Sequence, residues 1–383
     1  VLREEERVTP LELFFDLVFV LALTQCTALM AAVPSWEGLA QALLIMALLW
    51  WSWSGYAWLT SVLDPEEGAV RIVMFAAMAA FLVCALCVPT AFDDNALLFA
   101  GAYGAVRLAH IGLFALASRD DPELRQSVIA LGMSTAVSVG LLAGASATDD
   151  VLQGAIWTVA ILLDFGGPYF FGIAGWRIKP EHFAERFGLI VIIALGESIV
   201  ALGVGAEVGV DAGVVAAAVL ATAGAAALWW LYFDVVAIVA TRRLAKAEPG
   251  AEQNAIGRDS YGYLHFPMIA GIVMGAMGLK KTIGDVGDPL KLVPAVALFG
   301  GTAIYLLAHV AFRLRNVNTL NRQRLGCAVL LLALIPVGKE VPSLASLGIL
   351  VGLLCLLIAY EAIRFSGARD RIRHQLAREA AAD

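Results

Sequence analysis

Residues 9–25 read TPLELFFDLVFVLALTQ, an apolar run that opens at a Thr-Pro helix entry and carries two carboxylates, Glu12 and Asp16. Their i, i+4 spacing puts both acids on one helix face, where the run enters a bilayer. Working outward and cutting at polar and Gly/Pro clusters gives apolar runs at 11–33, 38–63, 69–89, 95–118, 124–146, 151–175, 186–206, 212–240, 261–279, 291–312, 324–338 and 343–365. Each is about one bilayer thick, so the pattern predicts an all-α integral membrane protein of about twelve transmembrane helices. The run at 324–338 is the shortest of them.

Composition agrees. Of 383 residues 60% are hydrophobic and 15% charged, with mean hydropathy +0.81, against roughly 45–50% and about 25% in soluble domains. Disorder and coiled coil are excluded by the scarcity of charge, and a disulfide scaffold by only five cysteines. A net charge of −7 offers phosphates no excess of basic groups, which excludes nucleic acid as a partner and leaves the lipid bilayer. VLREEERVTP is charged and no small-residue cleavage site follows the first run, so the first helix is expected to stay in the mature protein. Cys26, Cys84, Cys87, Cys327 and Cys355 sit in apolar runs and are expected to pack as small hydrophobes.

Lys and Arg mark the cytoplasmic side of short loops. All 26 except Lys280, Lys281, Lys291, Lys339 and the intramembrane Arg107 fall on the face shared by both termini, which are therefore expected to be cytoplasmic. The opposite loops are acidic, with Asp93, Asp94, Asp149, Asp150, Glu207 and Asp211. Laid over the first half, the second half matches it in chain order. Glu12-Leu-Phe-Phe-Asp16 meets Glu181-His-Phe-Ala-Glu185, and Leu49-Trp50-Trp51 meets Leu228-Trp229-Trp230. LFAG at 98–101 meets LFGG at 298–301, and Leu108-Ala109-His110 meets Leu307-Ala308-His309; Arg125-Gln126 meets Arg322-Gln323, and Asp164 meets Glu361. This is the signature of two parallel six-helix repeats related by an axis along the membrane normal, with a ligand site between them. The first repeat is 1–175; 176–240 holds a loop and spans 7 and 8, and 241–383 holds spans 9–12 and a basic tail.

An ionisable group in hydrocarbon costs at least about 2.5–3.5 kcal/mol, so each one retained there is paired, hydrated or functional. Glu12 and Asp16 share a proton or bind a cation, although Glu12 also fits a helix cap after Thr9-Pro10. In KPEHFAERFGLIVIIALGES (179–198), Glu197 is the deepest carboxylate, about three turns past Glu185; it serves proton coupling or ligand binding, or hydrogen-bonds a Ser or Trp of a neighbouring helix. Asp164 precedes Phe-Gly-Gly-Pro, a helix-breaking run that frees carbonyls beside a carboxylate. Asp234 is a site residue or pairs with Arg242 or Arg243. His110 and His309 occupy matched positions, and Arg107, one turn before His110, needs an acid, for which Asp164 and Glu197 are the candidates; the cluster is an interhelix lock or an anion site. His265, before Pro267, reads as hydrogen-bonded scaffold, and WWSWSGYAW (50–58) as an interface belt or a cavity lining.

No phosphate-binding loop, zinc spacing or nucleophile elbow occurs. TPLELFFDLVFVLALTQ and AERFGLIVIIALGESIVALG (184–203) resemble the bacterial low temperature requirement protein A family, through Glu12, Phe14, Phe15, Asp16, Glu185, Arg186, Phe187, Gly188, Gly196 and Glu197. The resemblance covers nearly the whole chain. It implies a multi-pass protein of the bacterial cytoplasmic membrane, from a family named for growth in the cold, and it carries no biochemical activity over to particular residues.

Two functions compete. The first is a secondary transporter-like protein whose proton- or ion-coupled site uses Glu12, Asp16, Glu185 and Glu197, takes an unidentified small-molecule or lipid-like substrate and needs no cofactor. The second is an intramembrane enzyme in which Glu12/Asp16 and Glu181/Glu185 hold Mg²⁺ against an isoprenoid or lipid diphosphate.

Overall fold

The computed structural model describes residues 7–170, 172, 174–205 and 211–367, without the side chains of 201, 202, 204 and 205. Arg3, Glu207, Arg369, Arg371, Arg373 and Arg378, used above for orientation, lie outside the described residues.

Twelve helices follow in order among the described residues: α1 Pro10–Ala32, α2 Trp36–Val62, α3 Gly68–Thr90, α4 Ala96–Ala117, α5 Pro122–Ala145, α6 Asp150–Phe170, α7 Pro180–Gly205, α8 Ala212–Ala245, α9 Ala251–Gly284, α10 Leu292–Val317, α11 Arg322–Ala333 and α12 Ser343–Arg364. Ten of them are, over their described residues, long and apolar enough to cross a membrane. The expectation that every run spans fails at α11. Its 12 residues rise about 18 Å, short of a hydrocarbon core of about 30 Å.

Helix starts are set by local chemistry. Thr9 and Glu12 form a reciprocal capping box with Pro10 in the first turn, and Ser35, Asp121, Asp211 and Asn321 each accept from a backbone N–H three residues on. α7 and α9 begin before their apolar runs because the amphipathic segments 180–185 and 251–260 are helical too. α8 is interrupted at Asp234-Val235. α6 runs through Gly166-Gly167-Pro168 to Phe170, so the expected break there does not occur. The carbonyls near Pro168 are instead taken by α9, where Tyr263 Oη donates to Phe165 O and Arg258 Nη1 to Pro168 O.

In the first half α1 packs on α2 and α3, α4 on α2, α3 and α5, and α6 on α2 and α5. In the second half α7 packs on α8 and α9, α10 on α8, α9 and α11, and α12 on α8 and α11. The halves meet where α1 and α2 pack against α7 and α9. There the indoles of α2 are core: Trp50 and Trp53 are fully buried, and Trp50 Nε1 donates to Gly262 O at 2.8 Å. Trp51 stacks on Phe165 and Tyr263, with ring centroids 4.4 and 5.6 Å apart. α9 and α10 cross at two glycines, since a Cβ on Gly301 would lie 2.7 Å from Gly271 O.

Candidate functional site: a buried ionic seam between α1 and α7

Glu12 and Asp16 face α7 and are 0% exposed. Opposite them, His182 and Arg186 have the same i, i+4 spacing on α7, so two acids on one helix meet two basic groups on the other. Arg186 Nη1 donates to Glu12 Oε1 at 3.0 Å and to Thr60 Oγ1 at 3.1 Å, while Nη2 donates to Asp16 Oδ1 at 2.7 Å. Trp53 Nε1 also donates to Asp16 Oδ1, at 2.8 Å, and its ring lies 5.6 Å from the guanidinium. The second oxygen, Asp16 Oδ2, is buried with no hydrogen-bond partner. Glu12 does cap its helix, accepting from Thr9 N at 2.8 Å through Oε2, and binds Arg186 as well through Oε1.

His182 Nε2 sits 2.9 Å from Glu12 Oε1, and Nδ1 sits 3.3 Å from Ser61 Oγ. Ser61 is also 3.2 Å from Ala57 O. A neutral imidazole accepts the Ser61 hydroxyl proton at Nδ1; a cationic one donates to Ser61 Oγ while the hydroxyl turns to Ala57 O. Both protonation states of His182 are therefore satisfied at this position.

Glu197 lies on the same seam, eleven residues and about 16 Å farther along α7. It is buried and accepts from Thr24 Oγ1 of α1 at 2.6 Å. Glu181 and Glu185 are exposed. Glu185 Oε2 accepts from Val8 N at 3.3 Å, and neither acid joins Glu12 and Asp16. The four carboxylates considered for Mg²⁺ do not converge, and among the described residues no group of three or more His, Cys, Asp or Glu is arranged to hold a metal ion.

Two further clusters sit to either side. Arg107 pairs with Asp164, Nη2 to Oδ1 at 3.0 Å, with Thr135 Oγ1 bridging at 2.9 Å and Tyr103 Oη donating to the other carboxylate oxygen. His110 Nδ1 faces Arg107 Nη1 at 3.5 Å. In the second half Arg324 grips Glu361 with Nε and Nη2 at 3.0 and 2.8 Å and turns Nη1 to His309 Nδ1. Asp234, at the interruption of α8, is half-buried beside this cluster. Arg243 pairs with Glu252 at 2.7 Å. His265 is held at both nitrogens, by Ser260 O and Tyr232 Oη.

The sequence reading missed His182, Arg324 and the partner role of Arg186. The available signal was the His182-xxx-Arg186 spacing, which mirrors Glu12-xxx-Asp16.

A helical bundle crossed by ionic pairs that are shielded from both lipid and water is the architecture of a polytopic membrane protein. This chain belongs to the bacterial low temperature requirement A protein family, whose model matches residues 7–359. It is similar to uncharacterized protein RA0937 of Rhizobium meliloti (strain 1021), with 31% identity over 313 residues, 77% of this chain and 74% of that protein. No solved structure matches the chain.

Proposed function

We propose that the protein is a proton-coupled secondary transporter of two parallel six-helix units with both termini cytoplasmic, and that the α1–α7 seam is its coupling site. The observation that carries this reading is Asp16: fully buried, bonded through Oδ1 to Arg186 and Trp53, with Oδ2 unpartnered. With His182 neutral, Glu12, Asp16 and Arg186 sum to −1, so one proton on Asp16 Oδ2 brings the set to neutrality. Neutrality favours movement of the set within a low-dielectric interior. Protonation also weakens the hold of Asp16 on Arg186, the contact that ties α1 to α7. Glu197, farther along the same two helices, extends the path. The recurrence of helix neighbours is the support for two units, since each pair packed within α1–α6 has its counterpart six helices on. Nothing comparable supports the diphosphate enzyme, whose two acidic pairs point apart.

The test needs no known substrate. Infrared difference spectra of the purified protein in nanodiscs, taken across a pH titration, should show a carboxylic C=O band that Asp16→Asn removes and Glu185→Gln leaves. Solid-supported-membrane currents evoked by a panel of small organic solutes should depend on an imposed pH gradient in the wild type and lose that dependence in Asp16→Asn. An unchanged band in Asp16→Asn, or gradient-dependent currents that survive it, refutes the coupling role.

A further inference from the structure

At one end of the second half, α8, α10, α11 and α12 line an open cavity of about 250 Å³. Residues on both sides of the α8 interruption line it. Its lining mixes apolar residues, among them Val235, Val239, Phe312 and Ile358, with the charged residues Asp234, Arg313, Arg324 and Glu361. Arg324 and Glu361 satisfy each other in a two-pronged pair, and Asp234 is already engaged with the protein. Arg313 is different. It is half-buried and its Nε donates to Thr319 Oγ1 at 2.9 Å, but among the described residues no carboxylate pairs with it.

We propose that this cavity binds a small amphiphilic monoanion, an organic carboxylate whose head sits on Arg313 and whose apolar body packs on the valines of the lining. Charge decides the head group. Arg313 is the lining cation that no carboxylate pairs with among the described residues, and a guanidinium prefers a planar carboxylate, repels a cation and gains little from an alcohol. Size suits a short body: 250 Å³ is the space of roughly eight waters, enough for a six-carbon or phenyl-bearing acid.

The corresponding corner of the first half makes the contrast. There α2, α4, α5 and α6, closed by Arg258 and Gly262 of α9, leave a cavity of only about 40 Å³, lined by the indoles of Trp51, Trp58 and Trp176. The ligand site thus belongs to one half, and it stands whether or not the α1–α7 seam moves protons.

The experiment uses the full chain in detergent, with hexanoate and phenylacetate against hexanol and hexylamine, read by calorimetry and by thermal shift. Both acids should bind and the alcohol and amine should bind at least 10-fold more weakly. Arg313→Gln should weaken hexanoate at least 10-fold, with Arg313→Lys recovering part of that loss. Val239→Trp, which fills the cavity, should abolish binding while elution as a monodisperse peak reports intact folding. The proposal is overturned if hexanol binds as tightly as hexanoate, if Arg313→Gln binds hexanoate like the wild type, if no acid binds up to roughly millimolar, or if phosphatidate added to the detergent binds where neither acid does.

Discussion

Arg186→Met is the most informative single change to the fold. Arg186 is fully buried and its two terminal nitrogens make three hydrogen bonds, two of them to carboxylates that are themselves fully buried. Removing one partner of a buried ion pair costs about 3–5 kcal/mol, because the charge left behind keeps its desolvation penalty. Here two acids lose one cation. The remaining bonds, His182 to Glu12 and Trp53 to Asp16, hold the loss within that range, so Arg186→Met should destabilise by about 3–5 kcal/mol. The triple change Glu12→Gln, Asp16→Asn, Arg186→Met removes both charges with the guanidinium, and replacing a whole buried ionic set is often neutral; it should return to within about 1 kcal/mol of wild type. Arg186→Lys, a point charge without the planar fork, should fall between. Unfolding in mixed micelles, followed by the fluorescence of the nine tryptophans, measures all three. A single variant within about 0.5 kcal/mol of wild type, or a triple variant as unstable as the single, would refute the claim that Arg186 is held in place by those two acids.

Other changes separate locks from surface. Asp164→Ala should cost about 3–5 kcal/mol by stranding Arg107, and Tyr103→Phe about 1.5–3 kcal/mol for one hydrogen bond to a charged group, both read in the same unfolding assay. Gly271→Ala should cost about 1–3 kcal/mol, since its Cβ would run into Gly301 O where α9 meets α10; Gly275→Ala, with open space around its Cβ, should not, and thermal melts of the two compare them directly. Glu185→Gln, on the exposed side of α7, should stay within about 0.5 kcal/mol of wild type by the same melts.

Twelve helices were legible because each is an apolar run closed by a Pro, Gly or capping residue, and those signals are local. The boundaries that moved did so where a helix extends past its apolar stretch, as at 180–185 and 251–260, for amphipathic turns raise no hydropathy signal. The shortness of α11 was visible as the shortest run, but its failure to span is a matter of length that only the helix end at Ala333 fixes. The Phe-Gly-Gly-Pro run after Asp164 misled for a different reason. Propensity disfavours helix there, yet Tyr263 and Arg258 of α9 satisfy carbonyls around Pro168, a tertiary supply of donors that no local rule contains.

The site shows the same division at finer grain. Glu12 and Asp16 were legible as a pair because their spacing shares a face, and one face was enough to place them inside. What they face depends on the phase of α7. Read from Glu181 and Glu185, α7 offers two more acids and invites a metal; read one residue on, from His182 and Arg186, it offers two basic groups and closes an ionic pair. One residue is a rotation of about 100° on a helix, and the rotation is set by Phe183 and Phe187, which are buried against Trp53, Trp58 and Tyr261. The aromatic core therefore selects which of two overlapping i, i+4 patterns looks inward. Charge complementarity selects the same one, since four buried carboxylates without a cation would cost far more than two held by the Arg186 cation and hydrogen-bonded by His182. Applied to the sequence, that second criterion favours the His182-xxx-Arg186 register without any structure, and it sets the expectation that exchanging the charges across the seam, Glu12 with Arg186, is better tolerated than either single substitution.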